Sequence, residues 1–166
     1  MKYCNRPFGN TNEMDETIIH NWNKKVKKDD IVYHLGDFMW NGTPTKIKEL
    51  CSRLNGKKFL IFGNHDDKRQ LASSGCFEWT GMLFDTRIGG KDMTLCHYPI
   101  LRWNKAHHGA LMLYGHLHNS SDKTFGDETP FIILKNSMNV GVDVAPDFAP
   151  FSIEEVKTYM GNNYAY

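Results

Sequence analysis

The order of apolar and polar positions along the chain predicts short elements separated by Gly, Pro and Asn punctuation. Met14, Ile18, Ile19, Trp22 and Val26 recur at helical spacing, which predicts a first helix capped by Asn12 with Asp15 and Glu16 in its first turn. Lys24, Lys25, Lys27 and Lys28 close it as a solvated end that suits the helix dipole. A β-rich run from Ile31 to Leu35 stops at Gly36-Asp37, and Thr45 to Leu54 follows as a helix with Ile47, Leu50, Cys51 and Leu54 on one face. The next strand-length run, Phe59 to Phe62, again stops at glycine, in Gly63-Asn64-His65-Asp66. Strand, helix, strand predicts a right-handed parallel crossover.

The second half has a different rhythm. Met82 to Ile88 and Lys91 to Cys96 flank Gly89-Gly90, a hairpin signal, and Leu111 to Tyr114 is a strand before Gly115-His116. Phe131 to Leu134 and Met138 to Val144 are further expected strands, and Ser152-Ile153-Glu154-Glu155 is a capping-box start for a helix to about Met160. Crossovers first and antiparallel strands later predict an α/β fold, two sheets packed as a sandwich and flanked by helices in four layers.

Composition narrows the function classes. The 166 residues suit one domain, residues 1–166, and 40% hydrophobic with 23% charged residues is a globular balance that excludes disorder. A formal net charge of +1 supplies no global field for nucleic acid or anionic membrane. Cys4, Cys51, Cys76 and Cys96 form no Cys-x-x-Cys pair, and neither a signal peptide nor a membrane-length apolar run is evident, so a soluble cytoplasmic protein with reduced thiols is expected.

Chemistry enters through the ends of the predicted strands. Four of them finish in a candidate metal ligand: Asp37; Asn64 with His65; His97 after Leu95-Cys96; and His116 with His118. One such residue is ordinarily a turn residue or a helix cap, but the recurrence is a pattern of its own. In extended backbone, His116-x-His118 puts both rings on one face, and glycines before Asp37, Asn64 and His116 leave room for an ion. Mixed nitrogen and oxygen donors suit transition ions rather than Ca or Mg.

Taken in order, Gly36-Asp37, Gly63-Asn64-His65-Asp66, His97 and Gly115-His116-Leu117-His118 resemble the calcineurin-like metallophosphoesterase family. Asn5 to Phe8, Tyr33 to Phe38 and Asn139 to Asp143 are similar to a small bacterial and phage subgroup of it. The resemblance implies a two-metal site in which Asp37 bridges both ions, Asn64, His97 and His116 hold one, and His118 helps hold the other. His65 would stabilise or protonate the transferring group, and Asp66 would orient its ring. The family's first motif, Asp-x-His, does not occur before Asp37. One well-held ion and a weaker second are therefore expected, with the first strand of the fold missing. The ion would be manganese first, with iron, zinc, cobalt or nickel as substitutes.

The expected function is hydrolysis of a phosphomonoester or phosphodiester by a metal-activated hydroxide, since paired cations neutralise the ester and generate hydroxide near neutral pH. The alternative is a catalytically impaired binding module on the same fold. Arg6 and Arg102 are candidates for substrate phosphate because arginine offers a bidentate fork. Asp67 reads as a helix cap only, and His20, His107 and His108 read as surface or packing residues. His34 is expected to face the opposite side of its strand from Asp37. The expected partners are a small phosphate ester and, with an edge exposed by the missing strand, a second copy of the chain; no membrane partner is expected.

Overall fold

The chain is described here by a computed structural model covering residues 6–118 and 135–164. Its first helix, α1 (Thr11–Lys25), is capped by Asn10 rather than Asn12. Asn10 is extended and its side chain accepts the Glu13 N–H at 2.9 Å, while the Glu13 carboxylate accepts from Gly9 N. That reciprocal pair satisfies two backbone donors that a start at Asn12 would leave bare. Glu13, not Asp15 or Glu16, is therefore the acidic residue of the first turn.

Strands β1 (Ile31–His34) and β2 (Lys57–Ile61) are parallel and joined by α2 (Pro44–Arg53), whose cap is Thr43 and whose proline stands where a missing N–H costs nothing. Helix α3 (Lys68–Ser73) is capped by Asp67, as expected, and leads to β3 (Trp79–Gly81), a strand the hydrophobic pattern did not single out. The first sheet has the order β1-β2-β3, all parallel.

Strands β4 (Leu83–Ile88) and β5 (Lys91–Cys96) form the expected hairpin, with Gly89 and Gly90 both at positive φ. That backbone twist matches the strands and is what glycine supplies. Strand β6 (Leu111–Tyr114) pairs parallel to β5, and β7 (Ser137–Asn139) parallel to β6, giving the order β4-β5-β6-β7. The strand expected from Met138 to Val144 stops at Asn139, because the Asn139 side chain accepts the Gly141 N–H and turns the chain. The expected strand Phe131 to Leu134 lies outside the described residues. The last helix, α4 (Ile153–Tyr164), begins with the predicted capping box: Ser152 Oγ accepts from Glu155 N, and Glu155 accepts from Ser152 N. A hydrogen bond from Lys25, backed by Ser152, holds the Glu155 carboxyl down to about 2.

Side-chain alternation sorts the core into layers. Val32 and Leu60 face outward, against Ile19, Trp22 and Val26 of the α1 region and against Ile47 and Leu71 of α2 and α3. Ile61 faces inward onto Met93, Leu95, Leu111 and Leu113 of the second sheet, joined by Val156 and Met160 of α4. Cys96, Met112 and Tyr114 occupy the far face of the second sheet under Ile100, Trp103 and Leu117. Two sheets flanked by helices are thus packed so that β1, β2, β5 and β6 end at the same rim. Among the described residues, no helix is long and apolar enough to cross a membrane.

Candidate metal centre

At that rim the chain after β1 turns sharply through Gly36 and Asp37, both at positive φ, and the chain after β2 turns at Gly63. The two turns touch. A Cβ on Gly36 would stand 2.6 Å from Gly63 N and 2.5 Å from His97 Nδ1, and one on Gly63 would overlap the Asp37 carboxylate. Any side chain here would push the strand ends apart, so glycine is required at both positions by close approach.

Asp66 fastens the two turns together. One carboxylate oxygen accepts from Asp37 N at 2.9 Å and Gly63 N at 2.8 Å, and the other accepts from Phe38 N at 2.8 Å. This corrects the expectation that Asp66 orients the His65 ring: the carboxylate is buried and its acceptors are used on backbone donors of two loops. Asp37 in turn accepts from His65 N at 2.9 Å.

His97, from the end of β5, is 2% exposed and stands at the middle of the cluster. Its Nδ1 lies 2.7 Å from Leu35 O, and a carbonyl can only accept, so Nδ1 carries the proton and Nε2 presents a lone pair in the neutral ring. Around Nε2 stand Asn64 Oδ1 at 2.9 Å, His116 Nδ1 at 3.2 Å and Asp37 Oδ2 at 3.5 Å. Burial first, then the electrostatic influence of the adjacent His97 ring, pushes the His116 ring below its ordinary pKa despite the opposing pull of Asp37, which favours the neutral ligand form.

Whether these residues suit an ion can be tested on geometry. With donors about 2.1 Å from a transition ion, neighbouring donors stand about 3.0 Å apart in an octahedron and about 3.4 Å in a tetrahedron. The three separations around Nε2 span that range. Lone pairs of an imidazole and an amide oxygen facing each other repel unless a cation or proton lies between them. Among the described residues no group of three or more His, Cys, Asp or Glu side chains is placed to hold an ion by itself, so a site here depends on the Asn64 oxygen beside His97. The donors fit a mixed N/O transition-metal site of open character.

His118 is brought to a different partner. Its Nδ1 donates to Asp143 Oδ2 at 2.7 Å, and the same carboxylate, 4% exposed, takes Arg6 Nε at 2.6 Å and Nη2 at 3.0 Å. Burial alone would raise the Asp143 carboxyl, but the Arg6 and His118 hydrogen bonds outweigh it and hold it below the usual range. Arg6, expected at substrate phosphate, thus directs its fork at Asp143, while Arg102 is exposed on the loop beyond His97. Asn139 donates to His118 O and fixes the turn from the β7 side.

His65 is exposed, with its ring centroid 4.5 Å from that of Trp40. His34 sits against Phe38 at 5.1 Å, and Asp66 and Asp37 act electrostatically on its ring, because the turn at Gly36 folds the chain back beneath it. Burial dominates and pushes this ring below its ordinary pKa; its Nδ1 is buried without a hydrogen-bond partner. Asp143, Asp66 as a clamp, Trp40 and Tyr98 are the residues that sequence reasoning assigned no such place. Asp143 carried a signal inside the Asn139 to Asp143 stretch and Asp66 inside Gly63-Asn64-His65-Asp66, though for another role; Trp40 and Tyr98 carried none.

Comparison with known proteins gives the arrangement its relatives. Residues 8–128 match the model of the calcineurin-like phosphoesterase family. The chain is 36% identical to an uncharacterised protein, MJ1445, of Methanocaldococcus jannaschii over 93% of this chain and 79% of that one. It is 29% identical to the Gene 66 protein of Mycobacterium phage L5, over 64% of this chain and 65% of the phage protein. The crystal structure of AQ665, a protein of unknown function from Aquifex aeolicus, superposes with a TM-score of 0.66 at 23% identity, covering 87% of this chain and 84% of that one. A family match over most of the chain, on a rim where separate strand ends deliver the family's motifs, has one reading: the chain belongs to the calcineurin-like phosphoesterase family.

Proposed function

We propose that this chain is a metal-dependent phosphoesterase that hydrolyses a small phosphomonoester or phosphodiester in the cytoplasm. The observation that carries the reading is the convergence of Asn64 Oδ1, His116 Nδ1 and Asp37 Oδ2 on His97 Nε2. Those four residues would hold one divalent transition ion, manganese first among them, and His118 with Asp37 would serve a second, weaker position. When bound, such ions neutralise phosphate charge and lower the pKa of water.

The chain's own residues supply the rest. Leu35 O fixes the His97 tautomer, and Asp66 fixes the backbone that aims Asp37 and Asn64. His65 lies exposed at the mouth, where its ring can donate a hydrogen bond to a phosphoryl oxygen or hold a proton for the leaving oxygen. Arg102, exposed on the loop that follows His97, would meet substrate phosphate.

The test pairs metal content with turnover of an aryl phosphate at rising Mn²⁺. His65→Ala should keep wild-type metal content while turnover falls roughly 100-fold, and His116→Ala should lower both. Metal binding with no turnover by the wild-type chain would favour the alternative of a binding module.

A further inference from the structure

We propose that Trp40 and Tyr98 wall a leaving-group subsite that takes the flat ring of an aromatic phosphate ester, an inference that rests on the phosphoesterase reading of the metal centre. Trp40 is 69% exposed, far more than the core would leave a tryptophan if burial were its purpose. Its neighbours Phe38 and Met39 are packed into the cluster under α2, and Asn41 turns the chain at positive φ, so the indole is held outward by an anchored segment. It leans on His65, the residue at the mouth of the site, with ring centroids 4.5 Å apart and planes tilted by 56°. Tyr98 is 36% exposed and stands edge-on to two residues of the donor cluster, 4.9 Å from His97 and 4.7 Å from His116.

Single exposed apolar residues are ordinary on any surface. These two differ because each rests on an imidazole of the same site, one on the His65 side and one on the His116 side. A phosphate between them would carry its alcohol outward past Trp40. A flat ring on that alcohol gains stacking that an aliphatic one does not, as bases do on exposed aromatic platforms. The two sources of such a ring are a simple aryl alcohol and a nucleobase, which differ in how far the ring stands from phosphorus.

Calorimetric titration of the full chain loaded with Mn²⁺ tests the inference, with methylphosphonate, phenylphosphonate and an adenosine 5′-phosphonate as probes. At least one ring-bearing probe should bind about tenfold tighter than methylphosphonate. Trp40→Ala should erase that preference and Trp40→Phe should keep most of it, with circular dichroism and metal content unchanged in both. Preference for phenylphosphonate identifies an aryl ester, and preference for the adenosine probe a nucleotide. Equal binding of all three by the wild-type chain, or a preference that survives Trp40→Ala, overturns the subsite. Ring preference without turnover of either phenyl phosphate or adenosine 5′-monophosphate would instead leave the subsite standing and remove the catalytic reading.

Discussion

The two histidine arrangements at the rim are built on opposite principles. At the His97 cluster, donors arrive from four chain segments, two of them locked by glycine contact and by Asp66, and the outer nitrogen of the ring donates to a backbone carbonyl. Around His118, one half-exposed ring leans on one buried carboxylate, and that carboxylate is shared with an arginine. The first gathers lone pairs in one place, whereas the second neutralises a negative charge with neighbouring positive partners. Ion affinity should follow donor density, so the first is the tighter position.

The largest expected effect separates the two directly. His97→Ala should weaken Mn²⁺ binding by at least about 100-fold and His118→Ala by about tenfold, since a central ligand outweighs a peripheral one. Competitive titration with a metal-sensitive dye measures both, and equal losses would erase the distinction. Next in size is Asp66→Ala, which strands three backbone N–H groups and should cost about 3 kcal/mol of stability by urea unfolding. Asp66→Asn keeps one oxygen acceptor and should lose about half as much.

Asp143→Asn probes the second arrangement. Loss of the charge that binds Arg6 in two places and His118 in one should cost about 2 kcal/mol. It should also make the segment around Arg6 a preferred cleavage point in limited proteolysis.

The smallest effect is a pH dependence with two windows. The Asp143 carboxyl is held low in the fold, so its contribution is complete above the ordinary carboxylate pKa near 4 and disappears as pH falls through the folded value. The His34 ring is also held low, by burial. Its penalty is absent well above pH about 6.5 and grows as pH drops below that, because the unfolded chain takes up the proton first. His34→Phe should flatten the stability profile between about pH 6.5 and 5, and Asp143→Asn should flatten it only below about pH 4.

Much of this was legible in the sequence because the signals are local. Glycine followed by a donor at each strand end, the Gly89-Gly90 hairpin and the Ser152-Glu155 box need no knowledge of distant residues. Asn10 and Asn12 compete for the cap of α1, and the Glu13 carboxylate three residues past Asn10 decides it. Beyond Met138 the pattern and the fold part, because Val140 and Val142 keep the β alternation while Asn139 and Gly141 turn the chain. Asp66 and Asp143 were not legible in their roles, since Asp66 joins nearby Gly63 to partners 28 and 29 residues away and the partners of Asp143 lie 25 and 137 residues away. Only the fold brings them together.

Asp37, His116 and His118 each hold a left-handed backbone without being glycine. Each such residue costs about 1–3 kcal/mol that glycine would not. A protein engineer ranking substitutions by predicted stability would therefore place glycine high at all three positions. Each change would remove a donor from the rim. Thermostabilisation guided by folding energy alone would thus dismantle this centre first, and any robust version of the chain has to gain its stability elsewhere, in the helices and the hairpin, while leaving these three strained residues as they are.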